Sequence, residues 1–286
     1  MNCGVKPGSD KGRRALTGQF SGKFAVVTGG SQGLGETIAR LFAERGAAGL
    51  VIGGRNEERG QAVAGDISGA GAPTHFVAGD LADLEAGRAL IAKADQAFGR
   101  VDVLVNAAAI TDRGTILDTS PELFDAMFAV NVRAPFFLMQ EAAKIMIREG
   151  IEGTMVNILS MAAHGGAPFI IAYCGSKGAL ATLTKNAAFS LLRNRIRVNG
   201  LNIGWMDTPG EDRIQKLYHG GGDDWLARAE AEAPFGRLLK PAEVARAVAY
   251  LASEESGMMT GSIIDLDQQV LGAAESSPRP AKAMAL

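Results

Sequence analysis

The most constraining stretch of this chain lies near its start. Phe24-Ala25-Val26-Val27-Thr28 is a short apolar run, followed at once by Gly29-Gly30-Ser31-Gln32-Gly33-Leu34-Gly35. A helical stripe of Ile38, Leu41 and Phe42 comes next. An apolar run without polar alternation predicts a strand buried on both faces, which needs helices above and below it. Strand, glycine turn and helix in that order predict an α/β fold built on a parallel sheet. The same junction can hold a pyrophosphate. Glycine lets the backbone approach closely, and the helix start offers free N–H groups and a positive dipole. A glycine-rich turn without a ligand is the alternative, and the strand-turn-helix setting favours the ligand.

The alternation continues along the chain. Residues 50–54, 75–80, 101–108, 153–160, 197–204 and 262–267 read as further strands. Helical patterns lie between them at 56–68, 84–98, 121–148, 173–192 and 242–252, with Pro241 at the first turn of the last. Together they predict a single Rossmann-type doubly wound domain with a seven-stranded parallel sheet over residues 21–272. Residues 1–20 read as a flexible N-terminal extension and 273–286 as a flexible tail. The mixed segment 205–236, with two short helical patches, reads as a substrate lid.

Composition narrows the functions open to such a domain. A length of 286 residues, 47% apolar, suffices for one large core. A formal net charge of −2 gives no field for nucleic acid or an anionic membrane. No apolar run is long enough to span a bilayer. Cys3 and Cys174 make no disulfide framework, which fits a cytoplasmic setting, and Cys174 reads as a small packing residue. His75, His164 and His219 are too scattered to suggest a metal.

In a doubly wound sheet, ligands gather at the carboxyl ends of the strands. The turn residues Gly29, Ser31, Gln32, Gly33, Leu34 and Gly35 fall at one such end. Arg55 follows the second strand, with no carboxylate until Glu57. A guanidinium there suits a ribose 2′-phosphate, so NADP is favoured over NAD, the alternative being a solvated arginine at a helix start. Asp80 and Leu81 follow the third strand, where Asp80 would meet an adenine amino group or cap the next helix. Asn106 and the small residues after it would let a nucleoside lie against the backbone. Gly204, Met206 and Thr208 follow the sixth strand. Asn131 sits among Phe128, Val132, Phe136 and Phe137, an amide in apolar company that needs a partner or marks a kink.

Ser160 ends the fifth strand, and Tyr173 and Lys177 follow, four residues apart. On a helix that spacing puts both side chains on one face. An ammonium beside a phenol favours the phenolate and lowers a pKa from its usual value near ~10. Such a tyrosine is fit for general acid–base work. His164, Trp205, Met206, Asp207 and Trp225 are read as lining or covering the substrate pocket. His164 and Asp207 suggest a hydroxylated substrate such as a sugar or polyol, the alternative being that they bond only the protein.

Over about residues 20–272 the chain resembles the classical short-chain dehydrogenase/reductase family. Thr28 to Gly35 is similar to the family's TGxxxGxG, and Tyr173-Cys174-Gly175-Ser176-Lys177 to its YxxxK, with Ser160 thirteen residues upstream and Asn131 matching the family's asparagine. The resemblance implies that Tyr173 exchanges the proton and that Ser160 holds the reacting oxygen. Lys177 would lower the tyrosine pKa and bind the nicotinamide ribose, and Asn131 would anchor a water leading to Lys177. Thr208 and the backbone near Met206 would hold the carboxamide. It also implies a homotetramer, assembled through the 121–148 and 173–192 helices and through the 241–252 helix with the last strand. Two segments depart from the family: its NNAG is Asn106-Ala107-Ala108-Ala109 here, and its Pro-Gly is Ile203-Gly204. The expected activity is hydride transfer between NAD(P) and a small-molecule secondary alcohol or ketone. The altered segments leave a non-catalytic cofactor-sensing regulator or scaffold as one alternative, and reduction of a steroid or thioester-linked ketone as another.

Overall fold

The computed structural model describes residues 18–272. Seven strands form one parallel sheet: β1 (Phe24–Thr28), β2 (Gly49–Gly54), β3 (Thr74–Ala78), β4 (Val103–Asn106), β5 (Thr154–Ser160), β6 (Arg197–Ile203) and β7 (Ile263–Leu266). Their order is β3-β2-β1-β4-β5-β6-β7. The helices are α1 (Gly33–Glu44), α2 (Glu57–Gly69), α3 (Leu84–Phe98), α4 (Pro121–Phe128), α5 (Ala134–Arg148), α6 (Ile171–Ser190), α7 (Pro209–Tyr218), α8 (Trp225–Glu232) and α9 (Pro241–Ala252).

The apolar runs are buried on both faces, as a parallel sheet requires. Along β1, Ala25 and Val27 point into a core with Ile38, Phe42, Val244 and Val248, on the side of α1 and α9. Val26, between them, points into a second core with Leu90, Ile91, Leu138 and Met146, on the side of α3 and α5. Phe20 is buried, its ring tilted against Phe42 with centroids 4.3 Å apart. Residues 1–17, including Cys3, and the expected tail at 273–286 lie outside the described residues.

The helix expected over 121–148 is broken by a π-helical turn at Ala129–Arg133. The widened turn carries the fully buried Asn131. A single π turn adds a residue to the helix and re-aims the side chains that follow, a feature frequent at functional sites. The next helix start also differs from one reading of the sequence: Asp83, not Asp80, caps α3, its side chain accepting the Glu85 N–H at 3.0 Å.

At the end of β1 the chain turns hard into α1. Gly29 adopts φ +70°, and a Cβ on Gly35 would lie 2.3 Å from the Gly29 carbonyl oxygen. That oxygen belongs to the turn backbone and cannot swing aside. Gly35→Ala should cost about 1–3 kcal/mol through overpacking. Gly65→Ala, on the exposed face of α2 with nothing within 4 Å, should stabilise by roughly 0.5–1 kcal/mol. Thermal melts of the two variants check the contrast, and equal melting temperatures would refute the role given to Gly35.

Candidate active site

A single cleft of about 1560 Å³ runs along the carboxyl ends of the strands. One half is built on the first turn. Gly29, Ser31, Gln32, Gly33, Leu34 and Gly35 all line it. α1 starts at Gln32 without a side-chain cap, whereas α2, α3, α4 and α7 are capped by Asn56, Asp83, Ser120 and Thr208. An uncapped helix start at a glycine cradle leaves N–H groups open to an anion. The residues therefore fit a pyrophosphate.

Arg55, Asp80 and Leu81 line the same half. Arg55 is exposed and has no hydrogen-bond or ion-pair partner among the described residues. Arg59, one helical turn on, also faces the cleft and donates through Nη1 to the Gln32 side chain. The sequence reading missed Arg59, although its i, i+4 spacing from Arg55 was a usable signal. Asn106 lies behind the cleft instead of in it. It is 2% exposed and donates to Asn157 Oδ1 at 2.8 Å, while its own Oδ1 has no partner among the described residues. The wall at this point is Ala107, Ala108 and Ala109.

The other half holds the proton-transfer candidates. Ser160 comes from the end of β5, and Tyr173 and Lys177 from one face of α6; all three line the cleft. Lys177 is 2% exposed and donates to the Ile158 carbonyl at 2.8 Å, with Nζ 5.6 Å from the Tyr173 ring centroid. Burial takes the lysine down to about 8. The same desolvation pushes Tyr173 up to about 12, against a hydrogen bond from Ser160 that pulls it down. The lowering expected from Lys177 does not appear in the protein by itself, where desolvation is the largest effect on the phenol.

Asn131 does not line the cleft. Its Nδ2 donates to the Ile110 carbonyl at 3.0 Å and to Ser176 Oγ at 3.1 Å, and its Oδ1 accepts the Ile110 N–H at 3.0 Å. It ties the π turn to the β4 exit loop and to the residue before Lys177.

Gly204, Trp205, Met206 and Thr208 line the lid side. Thr208 Oγ1 accepts the Glu211 N–H at 3.1 Å, which leaves the hydroxyl proton able to donate. Three expected pocket residues face elsewhere. His164 Nε2 lies 3.0 Å from Asp265 Oδ1, and Asn202 donates to the same oxygen at 2.7 Å. Asp207 accepts from Lys240 Nζ at 2.9 Å. Trp225 is buried against Ala229 and Leu238. The reading that His164 and Asp207 bond only the protein is the one the structure supports. Residues the sequence did not single out take their place: Arg113, Phe169, Glu211, His219 and, beyond β7, Asp267 and Gln269. Arg113 and Asp267 follow strand ends, so the strand-end rule could have found them. Among the described residues no His, Cys, Asp and Glu cluster suits a metal, and no helix is long and apolar enough to cross a membrane.

Comparison with known proteins converges on oxidoreductases. A family model described as enoyl-(acyl carrier protein) reductase matches residues 29–268. The chain is 37% identical over 249 residues to an uncharacterized oxidoreductase of Thermotoga maritima, covering 87% of this chain and 97% of that one. It is 32% identical to an NADP-dependent (R)-specific alcohol dehydrogenase of Lentilactobacillus kefiri, covering 88% and 98%. It is 29% identical to a sorbitol dehydrogenase of Cereibacter sphaeroides, covering 87% and 97%. A solved short-chain type dehydrogenase/reductase from Mycobacterium marinum matches with a TM-score of 0.79 at 32% identity, covering 89% of this chain and 97% of that one.

The buried lysine has a measurable signature. A lysine lowered to about 8 on folding binds its proton more weakly in the native state than in the unfolded chain, where the ordinary value is 10.5. Below pH 8 both states are protonated and the penalty of the buried charge is constant. As pH rises from 8 towards 10.5 only the native state releases the proton, so this group's contribution to stability rises. Relative to Lys177→Met, the wild type should gain roughly 2 kcal/mol between pH 7.5 and 9.5. Urea unfolding at the two pH values measures the difference, and a pH-independent difference would contradict the buried-lysine assignment.

Proposed function

The chain belongs to the classical short-chain dehydrogenase/reductase family, and from that premise we propose that it transfers a hydride between NADP and a small secondary alcohol or ketone. The observation that carries this reading is the meeting of Ser160, Tyr173 and Lys177 in the same cleft as the uncapped glycine turn. A regulator that only senses a cofactor has no use for a phenol, a hydroxyl and a lysine gathered at one end of its site.

NADP, when bound, supplies the hydride chemistry. The turn at Gly29–Gly35 and the α1 N-terminus hold the pyrophosphate, and Arg55 with Arg59 holds the 2′-phosphate. Lys177 holds the ribose on the nicotinamide side, and Thr208 donates to the carboxamide. Ser160 donates to the reacting oxygen and stabilises charge as it develops there. Tyr173 gives that oxygen a proton in reduction and removes one in oxidation. Since burial places the phenol at about 12, Tyr173 is protonated at neutral pH, the state that carbonyl reduction needs. Within the substrate class, a sugar or polyol is favoured by the likeness to the sorbitol dehydrogenase. Glu211 adds to this: its Oε1 takes Trp205 at 2.8 Å and Gln215 at 2.7 Å, leaving Oε2 to accept a hydroxyl. On the same reading the protein works as a homotetramer in the cytoplasm.

Sugars and polyols followed at 340 nm, with NADP and NAD in parallel, test the activity. Tyr173→Phe should lower turnover by a factor of about 10³ or more, the upper part of the range for a lost acid–base group. Unchanged turnover would remove Tyr173 from the mechanism. Alcohol oxidation should speed up as pH rises from 7 to 9.5, because the base form of a high-pKa phenol grows over that range; a flat profile would count against the phenol as base. Arg55→Ala should weaken NADP by about 10–100-fold, the range for a lost hydrogen bond to a charged group, and NAD far less. Equal effects on the two cofactors would refute the 2′-phosphate role.

A further inference from the structure

Across the cleft from the lid, the loop that leaves β4 is stitched to the start of α6. Gly114 N–H donates to the Phe169 carbonyl at 2.9 Å, and Ile171 N–H donates to the Gly114 carbonyl at 3.2 Å. This fixes Arg113 just ahead of Tyr173. Its guanidinium carbon lies 5.6 Å from the Phe169 ring centroid. Nη1 donates to the Thr111 carbonyl at 2.7 Å, and Nε donates to His219 Nε2 at 3.0 Å, an acceptor role open only to the neutral imidazole. The His219 ring also stands edge-on to Phe169 at 5.4 Å.

Every group that orients this guanidinium is neutral. No carboxylate pairs with it, and Nη2 has no partner among the described residues. An arginine held in a cleft by an aromatic face, a carbonyl and an imidazole keeps its charge uncompensated and its fork pre-oriented, which suits a planar anion. The nearby acids are engaged elsewhere. Asp112 accepts from Tyr218 at 3.2 Å, and Glu211 accepts from Trp205 and Gln215. Arg213, on α7, also lines the cleft and has no ion-pair partner among the described residues. Arg113 and Glu211 are both near enough to the Tyr173 phenol to act on it, in opposite senses. The substrate space beside the phenol thus has a cation on the β4-loop side and a hydroxyl acceptor on the lid side.

We propose that Arg113 binds a carboxylate of the substrate, which makes the substrate a hydroxy acid, such as a sugar acid, or the matching keto acid, in place of a neutral polyol. This rests on the dehydrogenase reading above and narrows its substrate class. Arg113 is a specificity residue here; the carboxylate takes no part in the hydride or proton transfer.

Two matched pairs test it, each differing by a carboxylate in place of a CH₂OH: gluconate with glucitol, and 3-hydroxybutyrate with butane-1,3-diol. The wild type should favour at least one acid over its diol by about tenfold or more in kcat/KM. Arg113→Gln should raise KM for that acid by about 10–100-fold, the range for a lost charged hydrogen bond, and bring the acid-to-diol ratio towards one. Arg113→Lys, which keeps the charge without the fork, should fall between, and melting curves identify any variant that fails to fold. Binding is read separately: gluconate should quench the tryptophan fluorescence of the free wild type, since Trp205 lines the cleft, and not that of Arg113→Gln. No quench in the wild type, preference for the diols, or an equal loss on acid and diol in Arg113→Gln would overturn the proposal. A quench lost in Arg113→Gln, with no turnover of any of the four compounds, would support the carboxylate site and count against the dehydrogenase reading instead.

Discussion

One hydroxyl holds the two halves of the site in register. Thr28 Oγ1, at the end of β1, accepts the N–H groups of both Ala107 and Ala108, each at 2.9 Å. β1 and β4 are neighbours in the sheet although two strands separate them in the chain. The connections on either side of that pair leave in opposite directions, and a crevice opens between them. Without a bond across it, the two strand ends would be free to splay. With it, Gly29 packs against the Ala108 backbone, an approach in which a Cβ would lie 3.2 Å from Ala108 Cα. The glycine turn on one strand and the substrate loop on the other are therefore positioned by the same contact.

The sheet was legible in the sequence because burial on both faces writes itself as uninterrupted apolar runs. The dinucleotide turn was legible because a sharp strand-to-helix junction admits glycine and little else. Ser160, Tyr173 and Lys177 could be found because helix periodicity and a strand end fix their relative positions without knowledge of the packing. The misplaced residues failed for the opposite reason. His164 ends a short turn, Asp207 lies in a loop and Trp225 opens the short helix α8, places where sequence position does not determine side-chain direction. Each found a partner distant in sequence: Asp265 for His164, Lys240 for Asp207, Leu238 for Trp225. Asn106 is a subtler case. Its strand position was read correctly, but strand alternation turns its side chain inward, onto Asn157 of the neighbouring strand at the paired register.

The phenol shows where a local charge argument stops. Spacing places Lys177 under Tyr173, and a lysine near a phenol lowers its pKa when the ammonium charge is present and the phenol is hydrated. Here Lys177 is buried and Tyr173 half-buried in the wall of the cleft. Desolvation acts on each in the direction that removes charge, so the tyrosine rises and the lysine falls. A pair read as phenolate and ammonium is phenol and ammonium at neutral pH, with the lysine proton held less tightly than usual. Sequence carries the pairing but not the depth of burial, and depth decides the sign.

The lid follows a different physical rule from the rest of the site. It is tied to the rest of the domain at both ends: Lys240 Nζ reaches Asp207 at 2.9 Å and Glu230 at 2.8 Å, while Tyr218 donates to Asp112 at 3.2 Å and His219 accepts from Arg113 at 3.0 Å. Met206 forms a single bridge with Leu239, and a small apolar cluster of Trp225, Ala229 and Leu238 lies beneath α8. Few buried apolar contacts and partly exposed ion pairs mark a segment of low local stability. Arg113 joins the two sides: the backbone next to it is bonded to the root of α6, its guanidinium lies over Phe169, and its Nε donates to His219 of the 205–236 segment. Glu211 and Trp205 of the same segment also line the cleft, so one part of its wall is built on the sheet's own loops and another on a segment anchored through a few partly exposed polar contacts.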